Sequence, residues 1–325
     1  MEKKSNNFFN KKIILILLSL SFILICYLYL SLDFENRTLK WDPFLISNLR
    51  LPKLLIGILA GLALSTVGGL YQGLFRNPLA EPYLLGISSG SAFGAVLTFY
   101  FGWDKLPVIG HWILITNSFV SGILTVLLIL FISNYKRNLN LMYLLLTGVI
   151  INTFLFSLEF LIIVFSYGRL QNVLLWLWGG LPVVDYKFLG IIGFFVLAGY
   201  SVILYNYRSV NLLSVSKEFM ISKGFDLKRQ TSILILVSTV MVAGVTSVCG
   251  ILGFIGLIVP HIIRLIVGFD FKKIFLYSFL LGPFFIIASD TFNNLLFYPV
   301  KIPLGIITTL IGAPVFFYLL RRNMK

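Results

Sequence analysis

Ten apolar runs separated by short polar segments leave this chain little choice of fold. They span residues 13–32, 54–75, 84–101, 112–133, 141–165, 188–205, 232–248, 250–267, 274–288 and 303–320. A helical membrane crossing takes about 20 apolar residues, and only helices and closed barrels satisfy their own backbone polar groups in hydrocarbon. Nothing between the runs is long enough for a soluble domain, so residues 1–325 read as one membrane domain. Composition agrees, with 58% hydrophobic and 12% charged residues. The expected class is an all-α integral membrane protein with ten transmembrane helices.

Charge sets the orientation. With both termini cytoplasmic, the inside segments collect most of the 26 basic residues, among them Arg76, Lys136, Arg137, Arg208, Lys272, Lys273, Arg321 and Arg322. That satisfies the positive-inside rule for an even number of crossings. The net charge of +14 then reports topology and does not point to nucleic acid. The run at 13–32 is long and lacks a small-residue cleavage site, so it is expected to stay as a span. Cys26 and Cys249 lie in or beside apolar runs, with no disulfide framework and no metal-ligand spacing.

Three local patterns stand out. Gly57, Gly61, Ser65, Gly69 and Gly73 recur every four residues through the second run. On a helix they form a groove of small side chains that admits a second helix, which places this span at the bundle centre. Residues 76–94 follow, where Pro78 and Pro82 forbid a continuous helix and Gly86, Ser88, Ser89, Gly90 and Ser91 keep the next run small and polar. In the second half, residues 253–264 put Pro260, His261 and Arg264 inside an apolar run. Pro260 is expected to break the helix there, leaving a free carbonyl and a flexible joint. His261 and Arg264, three residues apart, share one helical face. A charge at membrane depth costs about 2.5–3.5 kcal/mol on insertion scales, so Arg264 marks a protein-lined or interfacial position. Paired interruptions in the two halves point to inverted repeats around a central pathway.

These motifs, taken in order, resemble the permease subunits of type II ABC importers for iron-siderophore complexes, haem and vitamin B12. The resemblance runs from Leu49-Arg-Leu-Pro-Lys53 through Arg76-Asn-Pro-Leu-Ala, Trp176-Leu-Trp-Gly-Gly180, the 253–268 segment and Ala288-Ser-Asp290 to Leu310-Ile-Gly-Ala-Pro314. It implies ten helices per chain, with spans two to five and seven to ten as inverted repeats and two chains around one pathway. It also implies partners: a second permease chain, two ATPase subunits and a substrate-binding protein, in a prokaryotic plasma membrane.

The resemblance assigns roles to particular residues. The inside loop 206–230 would dock on the ATPase through Leu212, Leu213, Val215, Glu218, Phe219 and Met220, with Gly224 turning between short helices. Where the family commonly has Gly-Glu, this chain has Ser216-Lys217. Arg50 and Lys53 would receive acidic residues of the binding protein, while a third basic position of the family is Asn294 here. Asn77, Leu141 and Met142 match the cytoplasmic constriction. Glu159 lies on a span that lines the pathway in the family, and either faces it or pairs within the bundle. From the residues themselves, independent of the resemblance, Pro260, His261 and Arg264 are expected to form a joint of the conformational cycle.

No Gly-x-x-x-x-Gly-Lys-Ser/Thr loop is present, so ATP and Mg are expected on the partner ATPase and no cofactor on this chain. A secondary transporter coupled through Glu159 and Asp290 is the near alternative. An intramembrane lipid enzyme is the distant one, for no nucleophile and base converge in the sequence. The expected cargo is an iron chelate, haem or cobalamin.

Overall fold

The computed structural model describes residues 2–33, 35–133, 141–165, 170–215 and 226–323. Helix α1 (Glu2–Ser31) leads through a two-residue hairpin ladder, Leu32–Asp33 against Thr38–Leu39, to α2 (Pro43–Leu74). A 3-10 turn, Pro82–Leu85, precedes α3 (Ile87–Phe101), followed by α4 (Gly110–Ser133), α5 (Leu141–Phe165) and the short α6 (Leu170–Leu177). Then come α7 (Tyr186–Tyr205), α8 (Tyr207–Val215), α9 (Leu227–Cys249), α10 (Ile255–Val267), α11 (Phe271–Phe297) and α12 (Leu304–Asn323). Among the described residues, α2, α4, α5, α7, α9 and α11 are long and apolar enough to cross a membrane. The apolar parts of α1, α3, α10 and α12 are shorter.

Helix ends depart from the apolar runs for identifiable reasons. Asp42 accepts from Phe44 N at 3.0 Å and Leu45 N at 3.2 Å, and Pro43 fills the first turn, so α2 starts well before residue 54. Its first turns pass through a π segment, Ile46–Arg50. Asp270 likewise caps α11 through Lys272 N, which begins that helix ahead of residue 274. The eighth run is divided. Residues 250–254 are non-helical, Phe254 takes a left-handed backbone at φ 68°, and α10 then continues through Pro260 without stopping. The expected break at Pro260 is therefore corrected: the helix is interrupted before Phe254, not at the proline.

Helix α2 occupies the centre, with 83% of its apolar window buried, against 11% for α5. It packs most extensively on α11, and at their crossing a Cβ on Gly61 would stand 2.4 Å from the Gly282 carbonyl. Ser65 Oγ donates there to Gly61 O at 2.6 Å, with Ser278 O at 3.2 Å. One turn further along, Gly68 meets Gly256 of α10 so closely that a Cβ would lie 1.8 Å from the Gly256 oxygen. The companion packing joins α9 to α4 and, less extensively, to α3. These two packings, second run on ninth and seventh on fourth, exchange with each other if the second to fifth and seventh to tenth runs are equivalent units.

The two chain interruptions meet inside the bundle. Leu252 N donates to Tyr83 Oη at 3.1 Å, and a Cβ on Gly256 would touch the Pro82 ring. Beyond α6, Gly180 N reaches Cys249 O at 2.7 Å, while Leu304 N and Gly305 N reach Gly179 O and Trp178 O, both at 3.0 Å. Irregular backbone at this depth survives because protein, not lipid, satisfies it.

Candidate functional site

The end of α2 organises the first site. Pro260 has no N–H, so the carbonyl four residues earlier, Gly256 O, loses its helical partner. Gln72, 3% exposed, supplies the replacement: Nε2 donates to Gly256 O at 3.3 Å and Leu257 O at 3.2 Å. The carbonyl expected to be free is thus taken. His261 and Arg264 lie close enough to interact, and His261 packs edge-on to Phe316 at 5.7 Å. The Arg264 guanidinium sits 5.6 Å over the Phe271 ring, while its Nε has no hydrogen-bond partner among the described residues.

Four residues after Gln72, Arg76 closes the helix end in a left-handed conformation, φ 50°. A non-glycine residue there costs about 1–3 kcal/mol and persists only where its surroundings hold it. What holds Arg76 is α8: its Nε and Nη2 converge on Leu213 O at 3.0 and 2.8 Å. On the same helix Asn211 donates to Asp270 Oδ1 at 3.2 Å and accepts from Phe271 N at 2.9 Å. In the turn that follows α2, burial raises the Glu81 carboxyl above its ordinary range.

These contacts revise one expectation. Leu213 was expected to face the ATPase, yet it is 1% exposed and packs into the bundle, because α8 turns its apolar side to α2 and α11. Leu212 is half-buried and Val215 ends the helix. Glu218, Phe219, Met220 and Gly224 lie outside the described residues.

At the opposite end of α2, Arg50 Nη1 donates to Leu30 O at 2.6 Å, tying α1 to α2. Tyr29 Oη donates to Asp290 Oδ2 at 2.8 Å and Asn294 Nδ2 donates to the same oxygen at 3.1 Å, tying α1 to α11. Lys53 lies near enough to Lys301 to be repelled by it, and both feel Asp290. Arg50 is thus half-buried and engaged, while Lys301 is exposed.

Along α5, Met142 is 61% exposed and Leu141 half-buried. Asn77 is half-buried, and its Oδ1 accepts from Leu79 N at 2.9 Å to shape the turn. Glu159 is 4% exposed, on the inner side of the helix, and its Oε1 has no hydrogen-bond partner among the described residues. No cluster of three or more His, Cys, Asp or Glu suited to a metal occurs among the described residues. Gln72, Asn211, Asp270 and Lys301 escaped the sequence reading. Only Gln72 left a trace, as a lone amide in an apolar run one turn before Arg76.

A bundle built on a buried central helix, with paired interruptions and an amphipathic helix seated at one end, is the architecture of a multi-pass membrane protein. Residues 12–322 match the FecCD transport family, and the chain belongs to it. It is 32% identical over 325 residues to a hemin transport system permease protein from Yersinia pestis, covering 95% of this chain and 96% of that one. A cobalamin import system permease protein from Halobacterium salinarum is 34% identical over 277 residues, covering 85% and 73% respectively. An uncharacterized ABC transporter permease protein from Bacillus subtilis is 34% identical over 288 residues, covering 87% and 81%. A solved metal-chelate type ABC transporter in an inward-facing conformation superposes with a TM-score of 0.83 at 27% identity, over 96% of this chain and 99% of that one. The protein therefore has the ABC permease fold of the type II importers that handle iron chelates, haem or vitamin B12.

Proposed function

We propose that this chain crosses a prokaryotic plasma membrane ten times with both termini cytoplasmic, and that two copies enclose the pathway of an ATP-driven importer for an iron chelate. The observation that carries the reading is α8. It is a short helix bolted by Arg76 and Asn211 to the bundle end that also bears Arg208, Lys228, Arg229, Lys272 and Lys273. A basic end is the cytoplasmic end under the positive-inside rule. The segment following α8 is then where a separate ATPase docks, and this chain needs no nucleotide site of its own. The exposed apolar length of α5 supports a second copy, since it buries little within one chain. Iron chelates are favoured as cargo by the hemin, iron-citrate and iron-hydroxamate names among relatives.

Docking of the ATPase is tested at Phe219 and Met220. Changing both to Asp is expected to remove the cognate ATPase from affinity-purified permease while membrane insertion stays normal. Full ATPase recovery with that double variant refutes the docking assignment.

Docking of the binding protein is assigned to Lys53 with Lys301, since Arg50 is engaged by Leu30. Reversing both lysines to Glu is expected to slow association about tenfold at low salt, within the range of electrostatic steering. The effect should fade at high salt, because the Debye length falls from about 30 Å at 0.01 M to about 3 Å at 1 M. Stopped-flow association rates check this, and a salt-independent defect would count against steering.

A further inference from the structure

Helix α8 is fastened to the start of α10 through α2, and to the start of α11 just beyond the other end of α10. The first tie runs through α2: Arg76, just past its end, forks onto Leu213 O, and Gln72, in its last turn, holds Gly256 O and Leu257 O at the start of α10. The second reaches the link between α10 and α11: Asn211 grips Asp270, the cap of α11, and Phe271 N, its first residue. Between the ties, Gly73 lies against the Phe271 ring and Val210, so no slack separates α2, α8 and the start of α11. Two N–H groups of one guanidinium on a single carbonyl fix both position and angle, and an amide that donates and accepts at once does the same.

Helix α10 is suited to respond. It is 13 residues long, begins after the non-helical stretch 250–254, and touches α2 at a glycine-to-glycine contact. The left-handed backbone of Arg76 aims its side chain at α8.

We propose that Arg76 and Asn211 are positioning residues that turn a displacement of α8 into a displacement of α10, and so carry the nucleotide state of the ATPase to the middle of the bundle. This rests on the reading that the ATPase docks beside α8. Spatial connection alone does not establish coupling, so the test reads a change between states.

The experiment is hydrogen–deuterium exchange on the purified permease–ATPase complex, nucleotide-free and vanadate-trapped, following peptides that cover residues 255–271. In the wild type, trapping is expected to alter exchange there several-fold. In the Arg76→Ala/Asn211→Ala variant the alteration should shrink to less than a third, with ATPase recovery and vanadate trapping unchanged. Arg76→Lys with Asn211→Asp, which keeps side-chain size, is read the same way if the alanine variant does not accumulate. An undiminished alteration in the variants, or none in the wild type, overturns the inference. Loss of the ATPase from the variants overturns it too, by making these docking residues. Failure of the wild type to retain any ATPase instead overturns the docking reading on which it rests.

Discussion

Gly68→Val is expected to abolish the folded permease, with at least a tenfold loss of monodisperse protein after solubilisation. The Cβ that any other residue adds would stand 1.8 Å from Gly256 O and 2.4 Å from Gly256 C. Both are main-chain atoms, so no rotamer change relieves the contact. Gly256 is itself confined, since a Cβ there would meet Pro82 Cδ at 2.3 Å and Leu64 O at 2.9 Å. Where side chains can shift, overpacking costs about 1–3 kcal/mol; here α2 and α10 must separate along their shared face. In lipid that separation forfeits the van der Waals packing that holds membrane helices together. Gly68→Ala should fall between the wild type and valine. The control is Gly190→Ala on α7, where nothing lies within 4 Å of the added carbon. Size-exclusion profiles and melting temperatures of the three variants decide it. A normal profile for Gly68→Val would mean that the α2–α10 contact is not required.

Gly68 also shows how far the sequence could be read. The repeat Gly57, Gly61, Ser65, Gly69, Gly73 announced a central helix with a small face, and α2 is central. A four-residue repeat on a helix of 3.6 residues per turn drifts around the axis, however. It therefore serves different neighbours in turn: α11 at Gly61, α10 near Gly68, and Phe271 with Val210 at Gly73. The tightest contact falls one residue off the stripe. Long apolar runs located the six helices that are long enough to cross a membrane, because apolar length is itself the physical requirement. Short elements left no such signal: α6 has only eight residues, and the start of α2 depended on the Asp42–Pro43 cap. Leu213 was misplaced because an apolar residue in a polar loop was assumed to face a partner, while the bundle claims it. The Tyr29–Asp290 bond joins residues 261 apart in sequence, so neither residue's neighbourhood could announce it.

Gln72→Leu is expected to lower the melting temperature by roughly 2–12 °C, and to do so only while Pro260 is present. Removing the amide leaves Gly256 O buried with neither a helical partner nor Gln72, and a buried polar group without a partner costs about 1–3 kcal/mol. At about 2–4 °C per kcal/mol for chains of moderate size, that gives the stated shift. Pro260→Ala restores an N–H four residues after Gly256, closing the ordinary helical bond, so the amide becomes dispensable. In the Pro260→Ala background, Gln72→Leu should therefore cost no more than a third of its effect in the wild type. The amide orientation carries the argument: Nε2 faces the two carbonyls, and Oε1 has no partner among the described residues. Gln72→Glu, acceptor-only when ionised, should thus resemble leucine or do worse. Equal losses in the two backgrounds would show that Gln72 serves some need other than the proline's orphaned carbonyl. A strongly unequal pair would establish that the helix passes through Pro260 because a residue 188 positions earlier in the chain completes it.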